Sequence, residues 1–322
     1  MKTTLELKAK IDAHIQSLDF VHRQPSNLYE PIAYILKLKG KRIRPILTLL
    51  AYEAVANRPN EEALDLAAAV ELFHNFTLMH DDIMDRAPVR RGMPTVHIKW
   101  NENIAILSGD ALLVIATELV VKGFPERADV LMREFAKVAL QVCEGQMEDM
   151  DLAERAEVGI SEYVEMIRKK TAALVGGCLS LGAIAAGADK DLIEQMRQLG
   201  ENIGLGFQLQ DDLMDAFPPA GFGKQLGGDI IENKKTYLML KAFERADPAQ
   251  KERLNSLQKE TNHQVKVAEV LEIFRSLKIE TLTQHFIHQY FEKARILGAD
   301  LSKQINFELL RKYLQEIVYR KL

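Results

Sequence analysis

Proline placement constrains this chain more than any other feature. None of the ten prolines lies between Glu126 and Phe217, and none follows Pro248. Proline removes a backbone donor and clashes with the preceding turn, so long stretches without it can run as uninterrupted helix. Within these stretches apolar residues return at spacings of three and four, as in Leu140, Cys143 and Met147, or Tyr163, Met166 and Ile167. That is the period of one helical face. No sustained apolar–polar alternation and no Asn-Gly or Asp-Gly pair signals a hairpin. The expected architecture is all-α.

Breaks are expected at residues 23–25, 57–60, 87–94, 123–126, 187–190, 217–228 and 246–248. They leave segments of about 15 to 30 residues, ample for helices. A chain of 322 residues exceeds the size at which one core usually stops growing. Two modest domains or one large one are therefore open. No composition shift marks a linker and no short-period repeat occurs, so one large helical domain, residues 1–322, is expected. The break at 216–228, AFPPAGFGKQLGG, follows a carboxylate cluster and holds two prolines, four glycines and Lys224. It reads either as a solvent loop or as a lid that brings Lys224 to a bound anion.

Formal net charge is −4, which gives no support to a nucleic-acid partner, since such binders carry a basic excess. The two cysteines, Cys143 and Cys178, lie far apart without metal-type spacing and read as reduced thiols. The first residues carry no apolar core of a secretory signal. The longest uncharged run, 171–188, contains ten Gly or Ala among its eighteen residues. That is too weakly apolar for a membrane span and suits a helix packed closely inside a bundle. A cytoplasmic protein without a membrane span is expected.

Two carboxylate clusters carry the chemistry. Asp81, Asp82 and Asp85 form DDIMD; Asp211, Asp212 and Asp215 form DDLMD, 130 positions later. On a helix, i and i+4 share a face, so Asp81 stacks over Asp85 and Asp211 over Asp215, where like charges repel. Each cluster follows an apolar stretch, so each helix that gathers its aspartates implies a counter-ion. Oxygen-only ligands of this kind suit Mg²⁺, which takes one or two carboxylates and completes its shell with water and phosphate. Glu71-x-x-His74 and Glu260-x-x-His263 match the spacing of carboxylate-bridged metal bundles, but the second lies in a hydrophilic stretch with no apolar face.

Cations answer the aspartates. Lys41, Arg42 and Arg44 lie in GKRIRP, Arg90 and Arg91 in VRRGMPTVH, and Lys169 and Lys170 in RKKTAAL. Lys224 and Lys234 follow the second cluster. Arginine grips phosphate bidentately and lysine adds a compact charge. A ligand that satisfies both aspartates and cations is polyanionic and metal-bridged, such as a diphosphate. No GxxxxGK[ST] or GxGxxG loop occurs, which argues against ATP and dinucleotides.

Taken in order, GKRIRP, ELFHNFTLMHDDIMD, RRGMPT, GDALL, GQMED, KTAAL, GFQLQDDLMD and GKQLGGDIIENKKTY resemble the trans-isoprenyl diphosphate synthases, the family of farnesyl and geranylgeranyl diphosphate synthases. The resemblance spans roughly residues 40–237. It implies a single helical bundle of the isoprenoid synthase type with a central active-site cavity. It implies Mg²⁺-dependent condensation of isopentenyl diphosphate with an allylic diphosphate, at a site holding three ions on Asp81, Asp85, Asp211 and Asp215. Arg90, Lys170, Lys224 and Lys234 would face the allylic diphosphate. Lys41, Arg44, His74 and Arg91 would bind isopentenyl diphosphate. Thr171 and Gln208 would lie beside the developing cation. A homodimer is implied as well.

Two departures stand out: Lys39 replaces a glycine common before GKRIRP, and the first aspartate cluster is the short form without an insertion. Phe76 and Thr77, about one turn below Asp81, would set product length. An aromatic at Phe76 without an insertion resembles geranylgeranyl-type synthases, so C20 is favoured over C15. Two rivals are a class I terpene cyclase, which should carry an NSE-type triad in place of DDLMD, and a non-catalytic regulatory subunit, which should have lost aspartates or lysines. This chain retains them all.

Overall fold

The computed structural model describes residues 4–218 and 226–318. Among these residues the backbone forms sixteen α-helices, and its only strands are two of two residues each. The all-α expectation is borne out.

Chain order begins with α1 (Thr4–Ser17), α2 (Ser26–Lys37), α3 (Ile43–Ala56) and α4 (Leu64–Met84). The hairpin β1 (Val89–Arg90) and β2 (Met93–Pro94) follows, then α5 (Val96–Lys99) and α6 (Glu102–Lys122). Next come α7 (Ala128–Glu154), α8 (Ile160–Ile167), α9 (Ala173–Ala185) and α10 (Lys190–Ala216). The remainder is α11 (Gly228–Ile231), α12 (Tyr237–Arg245), α13 (Pro248–Leu257), α14 (His263–Ser276), α15 (Ile279–Leu301) and α16 (Glu308–Val318).

The chain divides into two compact units. The first comprises residues 1–137, 177–196 and 304–313. Its central element is α4, where Leu66, Ala67, Ala68, Ala69, Val70, Leu72 and Phe73 are all buried. A helix that is apolar on every side must be wrapped by others. One face of α6 (Ala105, Leu112, Ala116 and Val120) is buried, whereas Ile106, Leu107 and Val114 on another face are exposed. By length and composition α6 is the one described helix that could cross a membrane, a segment the sequence reading had not singled out.

The second unit comprises residues 138–176, 197–303 and 314–322. Its core gathers Leu205, Leu209 and Leu213 of α10 with Tyr163 and Met166 of α8, Leu238 of α12 and Phe274 of α14. The small-residue run earns its place here. A Cβ on Gly204 would lie 2.6 Å from the Ala172 Cα, and one on Gly200 would lie 2.7 Å from the Gly176 Cα. These backbones approach closer than any larger residue permits.

Every expected break is observed among the described residues; further breaks fall at 155–159, 258–262 and 302–307, and four other local features bear on the site. The hairpin turns through Arg91 (φ 54°) and Gly92 (φ 78°), with Arg90 opposite Met93. Two successive positive φ values make the tight turn that twists with its strands, and here Arg-Gly supplies it in place of Asn-Gly. Residues Arg168–Ala172 form a π turn between α8 and α9. A loop separates α2 from α3 at residues 38–42, with Arg42 left-handed at φ 53°. Lys39 is not among the positive-φ residues, so the backbone there does not require the missing glycine. Residues 232–236 form a further break before α12.

Candidate functional site

The first cluster lies at the C-terminal end of α4. Asp85 is the C-cap residue, and its N–H donates to the Asp81 carbonyl at 2.8 Å. Asp81 is half-buried and Asp85 exposed, whereas Asp82 is buried. Asp82 takes a bidentate grip from Arg90, whose Nε lies 2.9 and 2.8 Å from its two oxygens. Arg90, expected at the allylic diphosphate, thus rests on the central aspartate and holds the hairpin against α4.

Around His74 lie Arg44 and Arg91, two of the residues expected to bind isopentenyl diphosphate. Arg44 Nη1 donates to His74 Nε2 at 3.1 Å, which assigns a neutral ring with its proton on Nδ1. Burial, then Arg44, Arg91, Arg90 and Arg42, hold the His74 pKa well below its ordinary 6.5. Arg91 Nη1 reaches the Leu38 carbonyl at 3.3 Å and packs on Gly40, beside exposed Lys41. Four guanidiniums thus stand near one neutral imidazole, and two of them, Arg42 and Arg90, are already paired with carboxylates.

Arg42 of GKRIRP has a structural role. It is buried, with Nη1 2.5 Å from Glu71 Oε1, Nε 2.8 Å from Asp12 Oδ1 and Nη2 2.6 Å from the Leu36 carbonyl. Glu71 is therefore committed to Arg42, and His74 to Arg44, so this ExxH pair is no metal site. At the second pair, Glu260 Oε1 accepts the Asn262 N–H in a loop and His263 is exposed.

Phe76, 9% exposed, packs on Phe73 (5.7 Å between centroids) and on His80 (4.7 Å). Phe73 meets Phe135 edge-on at 5.3 Å. Thr77 is half-buried, and its hydroxyl donates to the His74 carbonyl at 2.8 Å.

In the second unit α10 repeats the arrangement. Asp211 is exposed, Asp215 half-buried and Asp212 buried. The Tyr163 hydroxyl donates to Asp212 in a short hydrogen bond, and Gln208 Nε2 donates to it at 3.0 Å. Gln208 Oε1 in turn accepts from the Thr171 hydroxyl at 3.0 Å, so the structure joins the two residues expected beside the cation. Asp215 accepts the N–H groups of Gly228 (3.1 Å) and Asp229 (3.0 Å). Lys170 follows in the π turn, its Nζ 2.6 Å from Asp149. Lys234 pairs with Glu232 (3.1 Å) and Asp229 (3.4 Å). Burial opposes its charge, but the two carboxylates outweigh that and raise its pKa. Lys224 and the basic tail, Arg320 and Lys321, lie outside the described residues.

Desolvation raises Asp212 from an ordinary 3.8 to about 7, although Tyr163 and Gln208 pull the other way. Between those values the folded carboxyl holds a proton that the unfolded chain has lost. Its contribution to stability therefore falls as pH rises from about 4 to 7, by up to a few kcal/mol. His74 acts in the opposite sense, losing stability as pH falls through its unfolded value. The readout is thus a difference. Thermal melts in a chelator should show wild type losing stability relative to Asp212→Asn between pH 5 and pH 8; parallel curves would reject the assignment.

Among the described residues no group of three or more His, Cys, Asp or Glu forms a metal cage. The outer aspartates fit an ion that takes its remaining ligands from water and phosphate oxygen. Asp82 and Asp212, each held by side chains of its own unit, are poor candidates for that duty.

The polyprenyl synthetase family model matches the chain from Pro25 to Phe274. A geranylgeranyl diphosphate synthase of Methanosarcina mazei is 44% identical over 238 residues, covering 73% of each chain. A short chain isoprenyl diphosphate synthase of Methanothermobacter thermautotrophicus is 42% identical over 252 residues, 78% of this chain and 77% of that one. A crystal structure of a geranylgeranyl pyrophosphate synthase superposes with a TM-score of 0.92 at 40% identity over the full length of both chains. On this family match and these identities, the chain belongs to the polyprenyl synthetase family.

Proposed function

We propose that residues 1–322 act as one synthase domain that condenses isopentenyl diphosphate with a dimethylallyl, geranyl or farnesyl diphosphate. The product is a short-chain trans-prenyl diphosphate, C20 in preference to C15. One observation carries this reading. Both DDxxD turns turn their central aspartate inward, onto Arg90 in one case and onto Tyr163 and Gln208 in the other. Asp81, Asp85, Asp211 and Asp215 would then hold Mg²⁺, taken as three ions, with Asp215 already oriented by the Gly228 and Asp229 N–H groups. When bound, Mg²⁺ neutralises the charge that builds on the leaving diphosphate.

The protein's own groups do the rest. Arg90, Lys170, Lys224 and Lys234 hold the allylic diphosphate while its C–O bond breaks and the electron pair leaves with oxygen. Arg44, Arg91 and Lys41 hold isopentenyl diphosphate, and neutral His74 donates one hydrogen bond from Nδ1. The Thr171 and Gln208 oxygens lie beside the allylic cation, which the isopentenyl double bond attacks. A proton is then lost to the departed diphosphate. Phe76 and Thr77 bound the growing chain.

The test mixes pure protein, Mg²⁺, isopentenyl diphosphate and each allylic primer, and follows diphosphate release and product length. Elongation to C20 is expected. Release without elongation would indicate a cyclase, and no turnover a regulatory subunit; either sinks the proposal.

The exposed Ile106, Leu107 and Val114 on α6 support a homodimer in which a second copy covers that face, in a protein taken to be cytoplasmic. Sedimentation that returns a monomer at micromolar concentration, or fractionation with membranes, would reject it.

A further inference from the structure

Lys235 stands beside Lys234, and its chemistry is unlike its neighbour's. Its Nζ donates to the backbone carbonyls of Leu152 (2.6 Å), Ala153 (3.1 Å) and Arg155. Helix α7 ends at Glu154, so Leu152 and Ala153 are among the residues whose carbonyls have no further turn to accept from. An ammonium group has three donors and no acceptor, and three carbonyls satisfy it completely. Its charge also sits at the negative end of the helix. The contact caps α7 and fastens the 232–236 segment to it.

The C-terminal half of α7 also meets the other lysine of the allylic set. Asp149 pairs with Lys170, and Glu144 and Glu148 take Lys169. The segment around Lys234 has further tethers: Asp215 on Gly228 and Asp229, Lys266 on the Ile231 carbonyl at 3.0 Å, and Asn233 on the Gln258 carbonyl at 3.1 Å. Of these tethers Lys235 is the one that reaches α7, and it adjoins Lys234 directly. The Lys234 ammonium ends a flexible four-carbon stem, so its reach depends on where the backbone holds that stem.

Building on the prenyl-transfer reading, we propose that Lys235 is a positioning residue. By capping α7 it holds the Lys234 backbone so that Lys170 and Lys234 meet the allylic diphosphate in a common register.

A double-mutant cycle on the full chain tests this, using Lys235→Met, Lys234→Met and both together, with each diphosphate varied in turn while Mg²⁺ and the other substrate are saturating. Lys235→Met should lower kcat/KM for the allylic substrate about tenfold and change KM for isopentenyl diphosphate by less than about twofold. In the Lys234→Met background it should have no further effect, because it acts through Lys234. Equal losses in both backgrounds, or equal losses for both substrates, would overturn the proposal. Hydrogen exchange without substrate is the second readout. Amides of residues 232–236 should exchange about tenfold faster in Lys235→Met. Unchanged protection would overturn the tether, even if the wild type failed to transfer prenyl groups and the functional reading fell separately. Should Lys235→Met not fold, Lys235→Gln is judged by the same outcomes.

Discussion

Replacing Asp81 or Asp211 by alanine is expected to lower kcat for prenyl transfer by about a thousandfold and leave the fold intact. Asp81 is half-buried and Asp211 exposed, each one turn from a second carboxylate of its own cluster. Removing one charge of such a pair relieves repulsion worth about 0.2–0.5 kcal/mol, so stability should hold or rise slightly. Asp82→Ala should instead cost stability. It strands the partly buried Arg90 guanidinium and should cost about 3–5 kcal/mol of stability. The measurements are diphosphate release at saturating Mg²⁺ and urea denaturation of the same preparations. An Asp81→Ala enzyme within about tenfold of wild-type kcat would remove that carboxylate from the metal site.

Phe76→Ala is expected to move most of the product beyond C20. The Phe76 ring is nearly buried, on Phe73 and His80, about one helical turn from Asp81, where a chain growing away from the aspartates would meet it. Truncation opens that space but leaves a cavity, so a stability cost of about 3–5 kcal/mol should accompany it. Assays therefore belong well below the variant's melting temperature, with product length read by chromatography of the hydrolysed alcohols. An unchanged length distribution in a folded, active variant would show that Phe76 is core and that the floor lies elsewhere.

Much of the candidate site was legible in advance because its signals are local. An aspartate at i and another at i+4 on an apolar helix is a fact of spacing, and so is the expectation that both lie on one face. Helix breaks at proline and glycine are equally local. The roles of Asp82 and Asp212 were not legible. A carboxylate's duty depends on whether Arg90 or Tyr163 comes back to meet it, and those contacts join residues eight and forty-nine positions apart. Lys235 was illegible for the same reason, since it bonds carbonyls eighty or more positions away. The Arg91–Gly92 turn escaped because arginine rarely takes a positive φ, and the π turn because one extra residue in a helix leaves no compositional trace.

By itself the sequence determined the all-α architecture, the two acidic turns, the cationic blocks and the chemistry of a diphosphate ligand. All of these follow from residue type and from the fixed period of a helix. Only the tertiary structure decided which of two adjacent lysines, Lys234 or Lys235, is spent on a helix end. It alone showed that His74 is neutral among arginines, and that the central aspartate of each cluster is anchored inward. Those outcomes depend on burial and on partners distant in the chain, because desolvation and hydrogen bonding set a side chain's charge and direction only after its neighbours have arrived.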